Sequence, residues 1–423
     1  MINNFISNHV THRPEPLTAL DMAASTAALS SAINGKSVLV IGGSGSIGSS
    51  FISQLLPFKP GSLTVVDLSE NGLAELARTL RSDARLSQCI PSEFRLYPID
   101  YYSYVFEKIF KSQSRNRCEG IGGMSSSGDS RGCGGFDIIA NFSAHKHVRS
   151  EKDIFSIEAL LKNNLLNASR LLDLIAEYPP ESYFCVSTDK AANPVNIMGA
   201  SKRIMEDLIF SYSDYFPVKT ARFANVAFSN GSLLDGFLHR LDKLQPLSAP
   251  SDIKRYFVSP EESGQICLLA AMLGNNREIF FPKLKEEQMT GFDEIARQLL
   301  AEKGYTVMEC SSDEEAIQAS ESLKQGSKAY PVHFSKSDTS GEKSFEEFVT
   351  DTEETDMNRF NSLGVIVGKP MPDREKINTL LDNIEAVFNK KHQATKEEVI
   401  KIISDYLPNF EHIETGKSLD SKM

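Results

Sequence analysis

Residues 36–48 read KSVLVIGGSGSIG. Residues 38–41 are a short β-rich run, typical of a parallel strand covered on both faces. Glycines follow at 42, 45 and 48, and Ile52, Leu55 and Leu56 then recur at helical spacing. A strand, a glycine-rich turn and a helix form the start of a dinucleotide-binding unit. The glycines permit a tight turn and close approach to a pyrophosphate. The helix N-terminus offers unpaired N–H groups and positive dipole character to that anion. Gly42, Gly45, Ser46, Ile47 and Gly48 are therefore the candidate phosphate loop.

The next strand, residues 63–66, ends in Asp67, about twenty residues past the glycines, where a carboxylate can accept from ribose hydroxyls and repel a 2′-phosphate. That favours NAD, with NADP the alternative because Ser69 and Arg78 lie near. Asp67 could equally start a turn before a helix. Residues 94–100 read as a third strand, and residues 136–141 as a further one. Strand and helix patterns alternate over 35–230, which predicts an α/β fold with a doubly wound parallel sheet. Residues 112–135, SQSRNRCEGIGGMSSSGDSRGCGG, break the alternation and read as a mobile insertion. Residues 1–34 are a polar lead whose stretch 17–33 is expected to pack as a helix. Residues 231–370 read as a substrate-binding region and 371–423 as a helical cap.

A second motif lies at 187–202, STDKAANPVNIMGASK. An apolar run, residues 183–186, precedes it, and Ile204, Leu208, Tyr212 and Phe216 follow at helical spacing. Asp189 and Lys190 are adjacent, and Lys202 lies thirteen residues after Asp189. An acid and a base at the end of a buried strand, with a lysine in the next helix, is how an active site is built on an open α/β sheet. The bland reading is a charged surface loop.

Between the motifs, the 136–141 strand runs into FSAHKHVRSEKD, residues 142–153. Ser143 and Ala144 are small enough to let the chain pass close to a nicotinamide ribose. Lys146 can face a substrate diphosphate, and His147 reads more readily as a half-exposed loop residue. The helix expected over 154–178 carries one apolar stripe, and Asn163 and Asn164 interrupt its polar side. Either asparagine could orient a neighbouring strand or simply be exposed.

Composition narrows the class. The 423 residues carry 45 basic and 56 acidic side chains, a net charge of −11. That argues against nucleic acid and anionic membrane as partners. No apolar run approaches membrane-spanning length, and no signal pattern opens the chain. The six cysteines are scattered without ligand spacing, so no metal site is expected, and reduced thiols in a cytoplasmic setting fit best.

The ordered segments GGSGSIG, SAHKHV, STDKAANPVNIMGASK, RFANVAFSNGS (222–232), KRYFVSPEES (254–263) and SGEK (340–343) resemble the nucleotide-sugar 4,6-dehydratases. These belong to the polysaccharide-biosynthesis branch of the extended short-chain dehydrogenase/reductase superfamily. The resemblance covers roughly 35–283 and a short anchor near 340, on the side of the soluble members. It implies a Rossmann fold, recycled NAD(P) and a UDP-sugar substrate, with UDP-N-acetylglucosamine the expected one. It also implies a homo-oligomer. In that chemistry the sugar is oxidised at carbon 4, water is eliminated across carbons 5 and 6, and the hydride returns to carbon 6. By resemblance Asp189 is the acid at carbon 6, Lys190 the base at carbon 5, and Thr188 the partner of the carbon-4 oxygen. Lys202 holds the nicotinamide ribose, and Asp100 stands near the adenine.

One position departs from the superfamily. Four residues before the lysine a tyrosine base is usual, and here Met198 stands there. A thioether is no useful proton acceptor. Some dehydratases resemble this chain in that respect, so another group must serve carbon 4. Asn225, Arg255 and Glu342 are the remaining substrate candidates. Arg255 offers a phosphate-binding fork or a surface salt bridge. Ser259-Pro260-Glu261-Glu262 reads as a helix start. Later, 291–310 reads helix then strand, 313–323 and 345–360 read as charged helices, and 373–391 and 395–407 as closing ones. The competing classes are an epimerase or ketoreductase on the same scaffold and a non-catalytic nucleotide-sugar-binding protein.

Overall fold

The computed structural model describes residues 2–120 (side chains to 113), 135–146, 151–337, 347–390 and 393–413. The expectations for His147, Glu342 and the middle of the 112–135 insertion fall outside these residues. At its front, the helix Tyr104–Gly120 continues through residues 112–120, which were read as part of the insertion.

Among the described residues, nine strands form the main sheet. They are β1 Ser37–Ile41, β2 Ser62–Asp67, β3 Glu93–Pro98, β4 Ile138–Asn141, β5 Ser182–Val186, β6 Val218–Ala221, β7 Glu278–Pro282, β8 Thr355–Asp356 and β9 Leu363–Ile366. Their spatial order is β8-β9-β7-β6-β5-β4-β1-β2-β3. The seven strands from β3 to β7 pair in parallel, and β9 closes antiparallel on β7. β1, β4 and β5 are buried along nearly their whole length, as helices on both faces require. The chain reverses its winding between β1 and β4. At such a switch point the C-terminal strand ends diverge and leave a crevice. Both motifs open from that edge.

The sheet does not stop at residue 230, since β7, β8 and β9 all extend it. A smaller parallel sheet, ordered Thr306–Cys310, Ala329–Ser335 and Leu247–Pro250, sits over its own core with Phe237, Leu299 and Tyr330. Phe5, Ile6 and Val10 of the N-terminal turns join that second core. The expected 17–33 helix spans Ala19–Ile33 and buries Leu29 and Ile33 in the main core. The helix expected over 345–360 does not form: among its described residues, turns lead into the short β8. The periodicity there was misleading because Phe348 is fixed by tertiary contact with Tyr256 and Phe281. Helices Arg374–Phe388 and Lys396–Tyr406 are the last helices among the described residues and bury Ile377, Ile384, Val399 and Ile403 in the main core.

Candidate active site

The glycine turn brings two strand ends into backbone contact. Gly42 has φ +73, a left-handed conformation that glycine adopts without penalty. A Cβ on Gly42 would lie 2.7 Å from the Ser143 nitrogen, and one on Gly48 only 2.4 Å from the Gly42 carbonyl oxygen. The helix Ser46–Leu55 begins directly at the turn, with Gly45 as its extended N-cap. Among the described residues no side chain caps these first N–H groups, which leaves them as donors suited to an anion. Asp67 accepts from the Ser44 nitrogen at 3.0 Å and the Ser69 nitrogen at 2.9 Å. It therefore ties the turn to the following helix, the structural role weighed above. Lone pairs on both of its oxygens remain for a ribose. Asp100 follows β3 and accepts from the Tyr102 nitrogen.

The second motif caps β5. Thr188 and Lys190 converge on one oxygen of Asp189. Its Oδ1 accepts from Thr188 Oγ1 at 2.7 Å, the Lys190 nitrogen at 2.9 Å and Lys190 Nζ at 3.0 Å. Asp189 is buried and Lys190 partly exposed. No described residue donates to Asp189 Oδ2. Lys202, on the helix Ile197–Phe210, is buried and sends Nζ to the Val186 carbonyl at 3.0 Å. Burial pulls its pKa below the lysine range, against Cys185 and Glu206. An ammonium has three protons; beyond Val186 O, the described neighbours offer Lys202 only the Met205 sulfur, at 3.6 Å. Met198 is buried, and its backbone nitrogen donates to Glu151 Oε1 at 2.8 Å.

A charged network stands behind this segment. Glu206 accepts from Ser187 Oγ at 2.7 Å and from Arg222 Nε and Nη2 at 2.7 and 2.6 Å. Arg222, wholly buried, also reaches Glu353 Oε2 at 2.7 Å and Oε1 at 2.9 Å. Lys369 Nζ adds a contact of 2.6 Å to Glu353. Burial is opposed by these cations, and Glu353 is held at a pKa of about 2. The network fixes Ser187, the residue before the Thr-Asp-Lys run, against two separate chain segments.

The family described as "Polysaccharide biosynthesis protein" matches residues 38–97 and 132–366. The chain belongs to this family. This is the polysaccharide-biosynthesis branch that the motifs implied. It is similar to an uncharacterized membrane protein of Methanocaldococcus jannaschii, 30% identical over 64% of this chain and 73% of that one. It is 25% identical to the probable polysaccharide biosynthesis protein EpsC of Bacillus subtilis over 76% of this chain, and spans 48% of EpsC's length. The UDP-N-acetylglucosamine 4,6-dehydratase (inverting) of Campylobacter jejuni is 24% identical, with 61% and 70% covered. A UDP-glucose 4-epimerase of Rickettsia canadensis is also 24% identical, with 59% and 66% covered. In fold, the chain matches Pen from Bacillus thuringiensis at a TM-score of 0.60 and 18% identity, covering 84% of this chain and 98% of that one.

Around the crevice, the family member places its remaining candidates unevenly. Ser143 and Ala144 follow β4, and Ser143 lies against Gly42. Lys146 is solvent-accessible, yet surrounding protein lowers its pKa by desolvation while Asp235 opposes. Asn225 begins a two-residue strand paired with Phe257–Val258 and is only half-buried. Arg255 is buried and donates to the Lys254 carbonyl at 3.0 Å, so it is no surface side chain. Glu262, read as a cap, forms the capping box with Ser259 and also receives Arg13 at 2.8 Å. Among the described residues no His/Cys/Asp/Glu group could hold a metal, and no helix is long and apolar enough to cross a membrane.

Of the two roles open to Asn164, the structure shows the orienting one. It accepts from the His145 nitrogen at 2.9 Å and donates to the His145 carbonyl at 3.0 Å and Ser201 Oγ at 3.1 Å. It thereby fixes the loop after β4 to the Lys202 helix. The signal was present: Asn164 is three residues after Leu161 and four before Ala168, both buried. A π-turn, Lys162–Asn167, locally unwinds the long helix there. The Arg222 network and Glu151 had no sequence signal, because their partners are distant in the chain.

Proposed function

We propose that this protein catalyses the NAD(P)-dependent 4,6-dehydration of a UDP-N-acetylhexosamine, with UDP-N-acetylglucosamine the first candidate. The observation that carries the reading is the convergence of Thr188 and Lys190 on Asp189 Oδ1, beside buried Lys202. The residues present suit the cofactor. Gly42 and Gly48 let the turn close tightly, since a Cβ on either would strike neighbouring backbone, and Lys202 Nζ has protons to spare. Asp67 suits the ribose of NAD, and Ser143, Ala144 and Lys202 suit the nicotinamide side. Bound NAD(P)⁺ would supply the acceptor for the carbon-4 hydride and the later donor to carbon 6.

The chain's own work is acid–base chemistry. Lys190 and Asp189 form an ion pair across 3.0 Å. Closing a sugar over them removes the water that stabilises separated charges. A proton passing from Nζ to the carboxylate then yields a neutral amine and a carboxylic acid, the base and acid that elimination needs. The amine of Lys190 takes the carbon-5 proton and the carboxyl of Asp189 protonates the departing hydroxyl. Water leaves and the ion pair is restored. The Lys190 ammonium afterwards returns a proton to carbon 5. Thr188 Oγ1 serves the carbon-4 oxygen and relays its proton to solvent water as the hydride departs. Lys190, neutral once it has protonated carbon 5, regains one proton from solvent to close the cycle. No tyrosine at position 198 is then needed. Lys146, Asn225 and Arg255 are assigned to the diphosphate side.

The test is incubation of the purified protein with UDP-N-acetylglucosamine and NAD⁺, followed by mass spectrometry. A product lighter by one water is expected. Unchanged mass with inverted carbon 4 would favour epimerisation, the second reading, which the similarity to UDP-glucose 4-epimerase supports. Bound but unaltered sugar would refute both.

A further inference from the structure

The described residues after Lys396–Tyr406 pack against the rest of the chain. Phe410 is buried, and its ring lies 6.2 Å from that of His412. His412 Nε2 lies 3.2 Å from Glu151 Oε2, with side-chain exposures of only 6% and 7%. A carboxylate only accepts, so Nε2 carries the proton of this bond. One residue on, the Ile413 nitrogen donates to the Val195 carbonyl at 3.0 Å. The other oxygen of Glu151 holds the Met198 nitrogen at 2.8 Å. The tail thus meets the 191–198 loop twice, directly at Val195 and through Glu151 at Met198.

Met198 is the second residue of the helix that carries Lys202. N–H groups at a helix start have no intrahelical partner, and a carboxylate there is favoured by charge as well. Asn196 serves the Gly199 nitrogen at 2.7 Å, and Glu151 serves Met198. A buried carboxylate needs more than one donor. His412 supplies the second. Tyr406, which donates to Asp207 at 3.3 Å, anchors the tail on that same helix. The family match ends at residue 366, so the tail's side of each contact lies outside the matched region while Glu151, Val195, Met198 and Asp207 lie within it.

We propose that residues 407–413 are a positioning element of the active site, holding the 191–198 loop and the start of the Lys202 helix through His412 and Glu151. The assignment rests on the dehydratase reading for its catalytic consequence, but not for the latch itself. His412 touches no reacting atom; it acts by fixing the interval between Asp189 and Lys202, where small displacements are costly to rate.

Two variants of the full chain test this. His412→Phe keeps the bulk and loses the hydrogen bond, and His412→Gln keeps a donor in the same place. Amide exchange by NMR or mass spectrometry reads the Met198 and Ile413 amides without any substrate. A thermal midpoint confirms that both variants fold. His412→Phe should speed exchange at both amides and lower kcat, each about tenfold, the scale of one charge-assisted hydrogen bond. KM for the sugar nucleotide should stay within about twofold, and His412→Gln should restore exchange and kcat. Wild-type exchange at Met198 in His412→Phe would overturn the proposal. So would faster exchange with unchanged kcat, or a loss that His412→Gln does not restore. If the wild-type chain binds the sugar nucleotide but releases no water, the dehydratase reading fails, while exchange still decides the latch.

Discussion

Replacing Glu353 with Gln should weaken both the fold and the site. Glu353 accepts from Arg222 at 2.7 and 2.9 Å, from Lys369 at 2.6 Å and from the Thr350 nitrogen at 3.0 Å. Burial alone would raise its pKa. Arg222 and Lys369 outweigh burial and lower it from 4.5 to about 2. That interval corresponds to about 3 kcal/mol of folding free energy. The sign follows from the depression: the contribution is present in full above pH 4.5 and is lost as pH falls toward 2. An amide at 353 must turn N–H groups toward one of its cations and leaves Arg222 partly unpaired in a buried place. Urea unfolding of wild type and Glu353→Gln at several pH values isolates the effect. The difference should be about 3 kcal/mol near neutrality and shrink steadily below pH 4.5. Because the network also holds Ser187, and Glu347 in the adjoining segment accepts from Asn193, kcat should fall with it. A difference under about 1 kcal/mol at neutral pH, or one independent of pH, would refute this account of the network.

Three further outcomes are expected. Asp189→Asn keeps an acceptor for Thr188 but loses the acid, so dehydration measured by mass spectrometry should slow by about 10²–10⁴-fold while sugar-nucleotide binding changes little. Gly48→Ala would put a Cβ 2.4 Å from the Gly42 carbonyl, and calorimetry should find NAD⁺ affinity reduced by about tenfold or more. Lys219 is buried and its pKa is depressed from 10.5 to about 8 by desolvation, against Glu278. The unfolded chain then binds more protons, so this group makes stability rise between pH 8 and 10.5, and Lys219→Met should flatten that rise in thermal melts.

Local sequence carried much of the site because its parts are short and contiguous. The strand–turn–helix at 36–55 and the strand–loop–helix at 182–210 each bury one apolar run and expose one loop, and periodicity reports both. The crevice follows once two such units share a parallel sheet. Residues 345–360 misled the reading because charge spacing there resembles a helix, whereas Phe348, the Thr350 nitrogen and Glu353 are fixed by partners elsewhere. Asn164 stayed open between an orienting and an exposed role for a different reason: a polar side chain on an apolar stripe is ambiguous until its partners are seen.

The amino-acid order alone determined the elements and which side chains crowd at their ends, since backbone propensity and burial period are local properties. Tertiary structure alone decided what stands behind them. Glu206 meets Arg222 and Glu353, and Glu151 meets His412, across separations that no pattern encodes. Such pairs form only where folding removes water and leaves a buried charge no other partner.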